Sequence, residues 1–430
     1  MDGRLVEVRS PTSGLGIDRA ILSFLTLLPR MEGRAQHNVD VLGWLADALE
    51  ELDRQSLRRI RRCRQSAQGR IIWLDGRELV NFGSNDYLGL ASDPRLVAAV
   101  KEGLEKEGWG SGASALVCGR SSAHAALEEA LAKFEGCQAA LVFPTGFAAN
   151  AGTIAALVGP GDAVYCDRKN HASIIDGCKL SRADLRVFPH ADVDTLDHLL
   201  AKPHRHRRRL VVTDTLFSMD GDLAPIPQLV DVCERHRAIL MVDEAHATGV
   251  FGNRGRGVVE FYGVEERVPV RVGTLSKGLG SVGGFVVGST ALVEWLVQKA
   301  RPYMFSTALP GAACYAAMAA LKVVEQEPHR RALVVQKAEF LREALKREGW
   351  NIGLSASQII PIVVRQPNVA LSLARFLETR GFFVPAIRPP AVPDDEACLR
   401  VSVTFHHQHS DLERLVETLG EAKRKLGLGN

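Results

Sequence analysis

A lysine and an aspartate stand out by residue type and by setting. Lys277 lies in Thr274-Leu275-Ser276-Lys277-Gly278-Leu279-Gly280, with Gly283-Gly284 close behind. Asp243 follows the apolar run Ile239-Leu240-Met241-Val242 and opens Asp243-Glu244-Ala245-His246. A carboxylate at the end of a buried strand and a lysine in a small-residue loop are the pair that pyridoxal phosphate chemistry needs. The amine takes up the aldehyde as a Schiff base, and the carboxylate keeps the pyridine nitrogen protonated so that the ring draws electrons. Small and polar neighbours between two apolar runs put Lys277 in a cleft, where partial desolvation favours the neutral amine.

Other residues could complete such a site. Thr145-Gly146-Phe147 follows the apolar run Ala139–Phe143 and begins a small-residue helix, Ala148 to Leu157. Strand, turn and helix N-terminus make a phosphate cradle. His171, in Asp167-Arg168-Lys169-Asn170-His171-Ala172-Ser173, is either a cap for the next helix or an imidazole stacked on an aromatic ring. Ser218 sits in Phe217-Ser218-Met219-Asp220-Gly221-Asp222, a turn-rich stretch followed by Pro225 and Pro227. Gly278-x-Gly280-x-x-Gly283 matches a dinucleotide fingerprint only in spacing: an apolar, strand-like run follows it where the fingerprint requires a helix. These glycines read instead as positions where backbone comes close to a cofactor. His406, His407 and His409 have no ligand spacing for a metal, and no metal is expected.

The elements that must position these residues are legible in the apolar pattern. Short runs (Ala139–Phe143, Ala163–Cys166, Leu210–Thr213, Ile239–Val242, Val270–Gly273, Phe285–Gly288) alternate with helical periodicity. That alternation predicts an α/β fold with βα units around a mainly parallel sheet. Ile359–Val364 and Leu399–Val403 mark a smaller α+β domain. The chain divides into an extension over 1–40, a helix and strand segment over 41–85, a large domain over 86–322 and a small domain over 323–430. Leu42, Leu45, Leu49 and Leu52 predict an amphipathic helix from Val41 to Arg64, with Arg58, Arg59, Arg61, Arg62 and Arg64 at its end. Met31, before that helix, is a candidate alternative start. The 430 residues carry 46% hydrophobic and 24% charged residues and a net charge of +3, so no basic field points to nucleic acid. Eight scattered cysteines without a C-x-x-C pair fit a reducing cytoplasm. The apolar stretch Ala20–Leu28 is too short to span a membrane and lacks a cleavage pattern. The arginine-rich run from His204 to Arg209 reads as a solvated loop.

Taken in order, the motifs resemble the α-oxoamine synthase family, a branch of the fold-type I pyridoxal phosphate enzymes (aspartate aminotransferase-like). The resemblance runs from about Arg58 to Leu419. It rests on Asn81-Phe82-Gly83-Ser84-Asn85-Asp86-Tyr87-Leu88-Gly89-Leu90, Gly110-Ser111-Gly112, Thr145-Gly146-Phe147-Ala148-Ala149-Asn150 and Asn170-His171-Ala172-Ser173. It rests equally on Phe217 to Asp222, Val242 to His246 and Thr274 to Lys277.

The resemblance implies pyridoxal 5'-phosphate as cofactor and a role for each matching position. Lys277 would hold the cofactor and then move the α-proton, Asp243 would pair with the ring nitrogen, and His171 would stack on the ring. His246 and Ser218 would contact the phenolic oxygen. Gly146 and Phe147 would give amides, and Thr274 its hydroxyl, to the phosphate. Thr307, in Phe305-Ser306-Thr307-Ala308-Leu309-Pro310, would reach the phosphate of a neighbouring subunit, which implies a homodimer with shared sites. Asn85 and Arg400 would hold the amino-acid carboxylate. Family members join an amino acid to an acyl thioester with loss of carbon dioxide. Pro385-Ala386-Ile387-Arg388-Pro389-Pro390-Ala391-Val392-Pro393 resembles the branch that joins L-alanine to a pimeloyl thioester, on CoA or an acyl carrier protein. Arg388 would then be a substrate residue. Ala391 stands where many members of that branch carry threonine. Arg61 or Arg62 would face the acyl carrier. Glycine with a short acyl thioester, an aminotransferase, and a non-catalytic partner subunit remain the other readings.

Overall fold

The computed structural model of the protein describes residues 40–428. Its internal contacts divide the chain into Met1–Glu51 and Leu52–Asn430. The described part of the first unit holds most of a helix, Trp44–Arg54. Met31, Ala20–Leu28 and nearly all of the expected extension lie outside the described residues.

The helix expected to run to Arg64 stops at Arg54. Ser56 takes a left-handed conformation with φ 58°, which breaks the helix. Beyond it the chain is extended: Arg64 bridges to Leu74, and Gln65 N donates to Trp73 O at 2.8 Å. The arginines from 58 to 64 therefore follow the helix rather than end it. The reason is tertiary, since Arg388 Nη1 donates to the carbonyls of Ser56 and Arg58 and holds this segment open.

Strands β1 (Ile71–Leu74) and β2 (Arg77–Asn81) form a hairpin over Asp75-Gly76, both at positive φ as a tight two-residue turn requires. The large sheet contains β3 (Ala139–Phe143), β4 (Ala163–Asp167), β5 (Asp184–Phe188), β6 (Arg209–Asp214), β7 (Ile239–Asp243), β8 (Val270–Thr274) and β9 (Gly284–Gly288). Its order is β3-β9-β8-β7-β6-β4-β5, and β9 alone runs against the others. The central strands are buried and, apart from Arg271 in β8 and the polar residues at the strand ends, apolar, as expected for a sheet covered on both faces. β5 was not legible in the sequence because an edge strand is only partly buried and its Asp184-Leu185-Arg186-Val187 pattern is mixed. The parallel strands end in Asp167, Asp214, Asp243 and Thr274. Chemistry-bearing residues thus gather at the carboxyl ends of the strands, where α/β sheets bind ligands.

The smaller part is built from β10 (Ile359–Arg365), β11 (Phe382–Phe383), β12 (Ala386–Ile387) and β13 (Ala397–Ser402), with helices His329–Arg347, Pro367–Thr379 and His409–Lys425. β2 pairs in parallel with β11, and Val80 and Phe82 join the core formed by Ile360, Ile362, Leu399 and Leu412. The segment around β1 and β2 is therefore an annex of the C-terminal part. His407 is buried there, stacked on Phe82 at 4.0 Å with Nε2 near Asn81 O, and burial pushes its pKa down to about 3. The run from His204 to Arg209 is mostly exposed, as a solvated loop should be, though three of its arginines are anchored. Arg207 and Arg208 close on the fully buried Asp162, and Arg209 enters β6.

Candidate active site

Lys277 follows β8 and is half-buried. Its Nζ lies 2.7 Å from His246 Nε2. Burial lowers its pKa to about 8, against the pull of Asp243 and Asp214 in the opposite direction. The shift favours the neutral amine that a nucleophile and base requires. Asp243, 4% exposed, accepts from Asn150 Nδ2 at 2.6 Å and from Ala245 N at 2.7 Å.

A hydrogen-bonded chain runs away from the lysine. His246 Nδ1 lies 2.7 Å from the hydroxyl of Tyr87, which also faces Asn85 Oδ1 at 3.2 Å. Arg400 reaches the same group: Nη1 donates to Asn85 Oδ1 at 3.0 Å and to Ser402 Oγ at 2.7 Å, and Nη2 approaches Tyr87 Oη at 3.4 Å. Its Nε donates to the carbonyl of Ser218 at 2.6 Å. Burial, then the charges of Lys277 and Arg400, push the His246 pKa well below the ordinary histidine range. His246 is thus a neutral imidazole between the lysine and the tyrosine.

His171 bears out its capping role. It is the N-cap of helix Ala172–Ser181, with Nδ1 2.7 Å from Ser173 Oγ. It also stands close enough to Asp243 and Lys277 to feel both charges, while burial lowers its pKa.

Helix Gly146–Leu157 starts directly after β3 and is capped by Thr145, whose side chain accepts from Ala148 N at 3.0 Å. The first amides of a helix have no partner within it, so Gly146 and Phe147 present N–H groups outward. A Cβ on Gly146 would sit 3.3 Å from Thr274 Oγ1, and one on Gly284 would sit 2.6 Å from Gly146 Cα. The absence of side chains at both glycines lets the helix start abut the end of β8. Thr274 Oγ1 donates to Gly283 O at 2.9 Å and lies 2.7 Å from Ser276 Oγ, so its hydroxyl is fixed at this junction. Gly278, of the apparent dinucleotide fingerprint, packs its backbone on Thr248 O, and a strand follows the motif.

The residues expected for the acyl donor are more dispersed. Arg388 is half-buried, and Ala391, exposed, closes its turn by donating to Arg388 O at 3.1 Å. Arg62 is occupied: it pairs with Asp75 and, through Nη1 at 2.9 Å, with Glu378. Arg61 is exposed and makes no ion pair among the described residues. Arg59 is the arginine of this segment that reaches the Arg388 turn, donating to Pro389 O at 3.0 Å. Thr307 is exposed and bridges to Ser114.

Sequence reasoning passed over Tyr87, Asn150 and Asp214. Tyr87 and Asn150 lie inside the Asn81–Leu90 and Thr145–Asn150 motifs, but their partners are far away in the chain. Asp214 ends an apolar run just as Asp243 does, and that shared signal could have found it.

The donor set fits pyridoxal phosphate: an anion for a ring nitrogen, an amine for an aldehyde, an imidazole beside them and a side-chain-free helix start for a phosphate. The chain as a whole matches the profile of the aminotransferase class I and II family over residues 77–419. It is 49% identical over 378 residues to an 8-amino-7-oxononanoate synthase of Anaeromyxobacter dehalogenans, covering 88% of this chain and 95% of the relative. It is 46% identical over 387 residues to one of Geobacter sulfurreducens, covering 89% and 99%. Among solved structures it resembles a serine palmitoyltransferase of Sphingomonas wittichii with a TM-score of 0.86 and 33% identity, covering 91% of this chain and 100% of that one. It also resembles an 8-amino-7-oxononanoate synthase of Francisella tularensis with a TM-score of 0.71 and 29% identity, covering 81% and 98%. The chain belongs to the aminotransferase class I and II family of pyridoxal phosphate enzymes, in its α-oxoamine synthase branch, alongside the 8-amino-7-oxononanoate synthases.

Proposed function

We propose that the protein condenses L-alanine with a pimeloyl thioester, releasing carbon dioxide and the free thiol and forming 8-amino-7-oxononanoate for biotin synthesis. The observation that carries this reading is the chain from Lys277 Nζ through His246 and Tyr87 to Arg400 and Asn85. It sets a partly neutral amine and a guanidinium, one suited to a proton and the other to a carboxylate, on a single network.

When bound, pyridoxal phosphate supplies an aldehyde that condenses with amines and a protonated ring that draws electron density from the α-carbon. Gly146 N, Phe147 N and the Thr274 hydroxyl would hold its phosphate, Asp243 its ring nitrogen, and His171 one face of the ring. His246 and Ser218 would flank the phenolic oxygen. Lys277 would hold the aldehyde and, once displaced by alanine, take the α-proton at Nζ and later return one. Its pKa near 8 allows both directions at neutral pH. Arg400 and Asn85 would bind the alanine carboxylate, and the tie from Arg400 Nε to the Ser218 carbonyl keeps the guanidinium in place. Arg388 and the turn at Ala391 would face the acyl chain. From the arginine segment, Arg61 is left for a carrier on CoA or an acyl carrier protein, since Arg62 is neutralised by Asp75 and Glu378. Thr307 would serve the phosphate of a second copy in a homodimer, and the enzyme would work in the cytoplasm.

The test is a matrix of L-alanine, glycine and L-serine against pimeloyl, acetyl and palmitoyl thioesters, scored by release of carbon dioxide and thiol. Alanine with pimeloyl thioester is the expected pair. Preference for glycine with acetyl-CoA would make the protein a glycine C-acetyltransferase. Amino transfer without carbon dioxide would make it an aminotransferase, and no turnover with any pair would point to a non-catalytic subunit.

A further inference from the structure

Two carboxylates lie side by side beneath the cleft, and the reading above gives a task to only one. Asp214 ends β6 and Asp243 ends β7, opposite each other in the parallel register. Their exposures are 2% and 4%. Their hydrogen bonding differs. Asp243 accepts from the side chain of Asn150 and from Ala245 N. Asp214 accepts one hydrogen bond, from His171 N at 2.7 Å, and among the described residues no side chain donates to it. Its own N–H donates to Asn170 Oδ1 at 2.9 Å, so both ends of the residue are fastened to the turn that carries His171.

Two like charges at adjacent strand ends in a low-dielectric interior do not both ionise. Where environments differ, the better-solvated group takes the charge and the other keeps its proton. Of the two, Asp243 is the one with a side-chain donor among the described residues. We propose that Asp214 is a positioning residue of the cofactor site, a neutral carboxyl that anchors the His171 turn and leaves Asp243 as the only anion under the ring. The electrostatics agree. Burial, then the charge of Asp243, hold the Asp214 proton well above the ordinary carboxylate range, and Asp167 at the end of β4 pushes the same way. The His171 N–H and Lys277 pull against this shift. Neutrality has a consequence for the lysine: the upward pull of an ionised Asp214 on Lys277 is then absent, which favours the neutral amine further.

This proposal rests on the site being a pyridoxal phosphate site, and two measurements on the full chain separate the two ideas. The first needs no cofactor. The infrared difference spectrum of cofactor-free wild type minus Asp214→Asn at neutral pH is expected to show a protonated-carboxyl C=O band that shifts in heavy water. Loss of an ionised-carboxylate band in its place would overturn the proposal. The second is a pH titration of the absorbance of the lysine-bound cofactor. Asp214→Asn is neutral and keeps an acceptor for His171 N, so its midpoint should stay within about 0.3 pH unit of wild type, well below the shift of a unit or more that removing a nearby charge causes. A fall of about one unit or more would show that Asp214 was charged and overturn the proposal. Asp214→Ala, which removes the acceptor, should weaken cofactor binding several-fold with the midpoint unmoved; unaltered binding would remove the anchoring role. Wild-type protein that takes up no pyridoxal phosphate would overturn the site reading itself.

Discussion

His190 offers a test of how the loops around the site are held. Its Nδ1 lies 3.1 Å from Asp167 Oδ1, at the end of β4, and its Nε2 lies 2.8 Å from Asp222 Oδ2, in the loop that carries Ser218. The ring also packs edge-on against Phe217 at 4.3 Å. Burial alone would lower its pKa, but the two carboxylates outweigh it and raise the value to about 9. Because folding raises this pKa, the stabilisation is complete below the unfolded value near 6.5 and fades as pH climbs through about 9. The span of about 2.5 units corresponds to at most about 3 kcal/mol. His190→Gln cannot carry the charge, so wild type should exceed it in stability by the most near pH 6. The gap should shrink by up to about 3 kcal/mol by pH 10. Urea unfolding of both proteins across that range measures it, and the subtraction removes other titrating groups. A gap that stays constant with pH would refute the idea that a charged His190 clamps Asp167 to Asp222.

Three further perturbations follow from the geometry. Gly284→Ala would put a Cβ 2.6 Å from Gly146 Cα, displacing the helix start at an overpacking cost of about 1–3 kcal/mol; equilibrium binding should show a loss of cofactor affinity of about fivefold or more. Asn150→Ala removes a charge-assisted hydrogen bond to Asp243, worth about 1.5–3 kcal/mol, so affinity for pyridoxal phosphate should fall about 10-fold to 150-fold by fluorescence titration. Arg388→Ala should raise the KM for the acyl thioester and leave alanine binding unchanged, whereas Arg62→Ala, which breaks the pairs with Asp75 and Glu378 and the contact with the Phe383 ring, should alter stability and not KM.

Much of the large domain could be read directly. Apart from β5, the strands of the large sheet are short and mostly apolar, and β4, β6, β7 and β8 end in polar residues, so burial on both faces leaves a readable apolar signature with Asp243 and Lys277 at its boundaries. β5 lacked that signature because it lies at the sheet edge. The sequence pattern overruns the end of the first helix because arginine suits a helix as well as it suits extended chain. What stops the helix is the left-handed Ser56 and the hold of Arg388, contacts across more than three hundred residues. The same limit hid Tyr87 and Asn150. Each owes its place to partners remote in sequence, His246 and Asp243, and nothing local marks either one.

The central claim is that Lys277 moves the α-proton of alanine. Proton exchange at the α-carbon of L-alanine in heavy water, followed by NMR with cofactor present and no acyl thioester, tests that step alone. Wild type should exchange the proton, and Lys277→Ala with the same cofactor should not. Exchange by the variant at the wild-type rate would contradict the account.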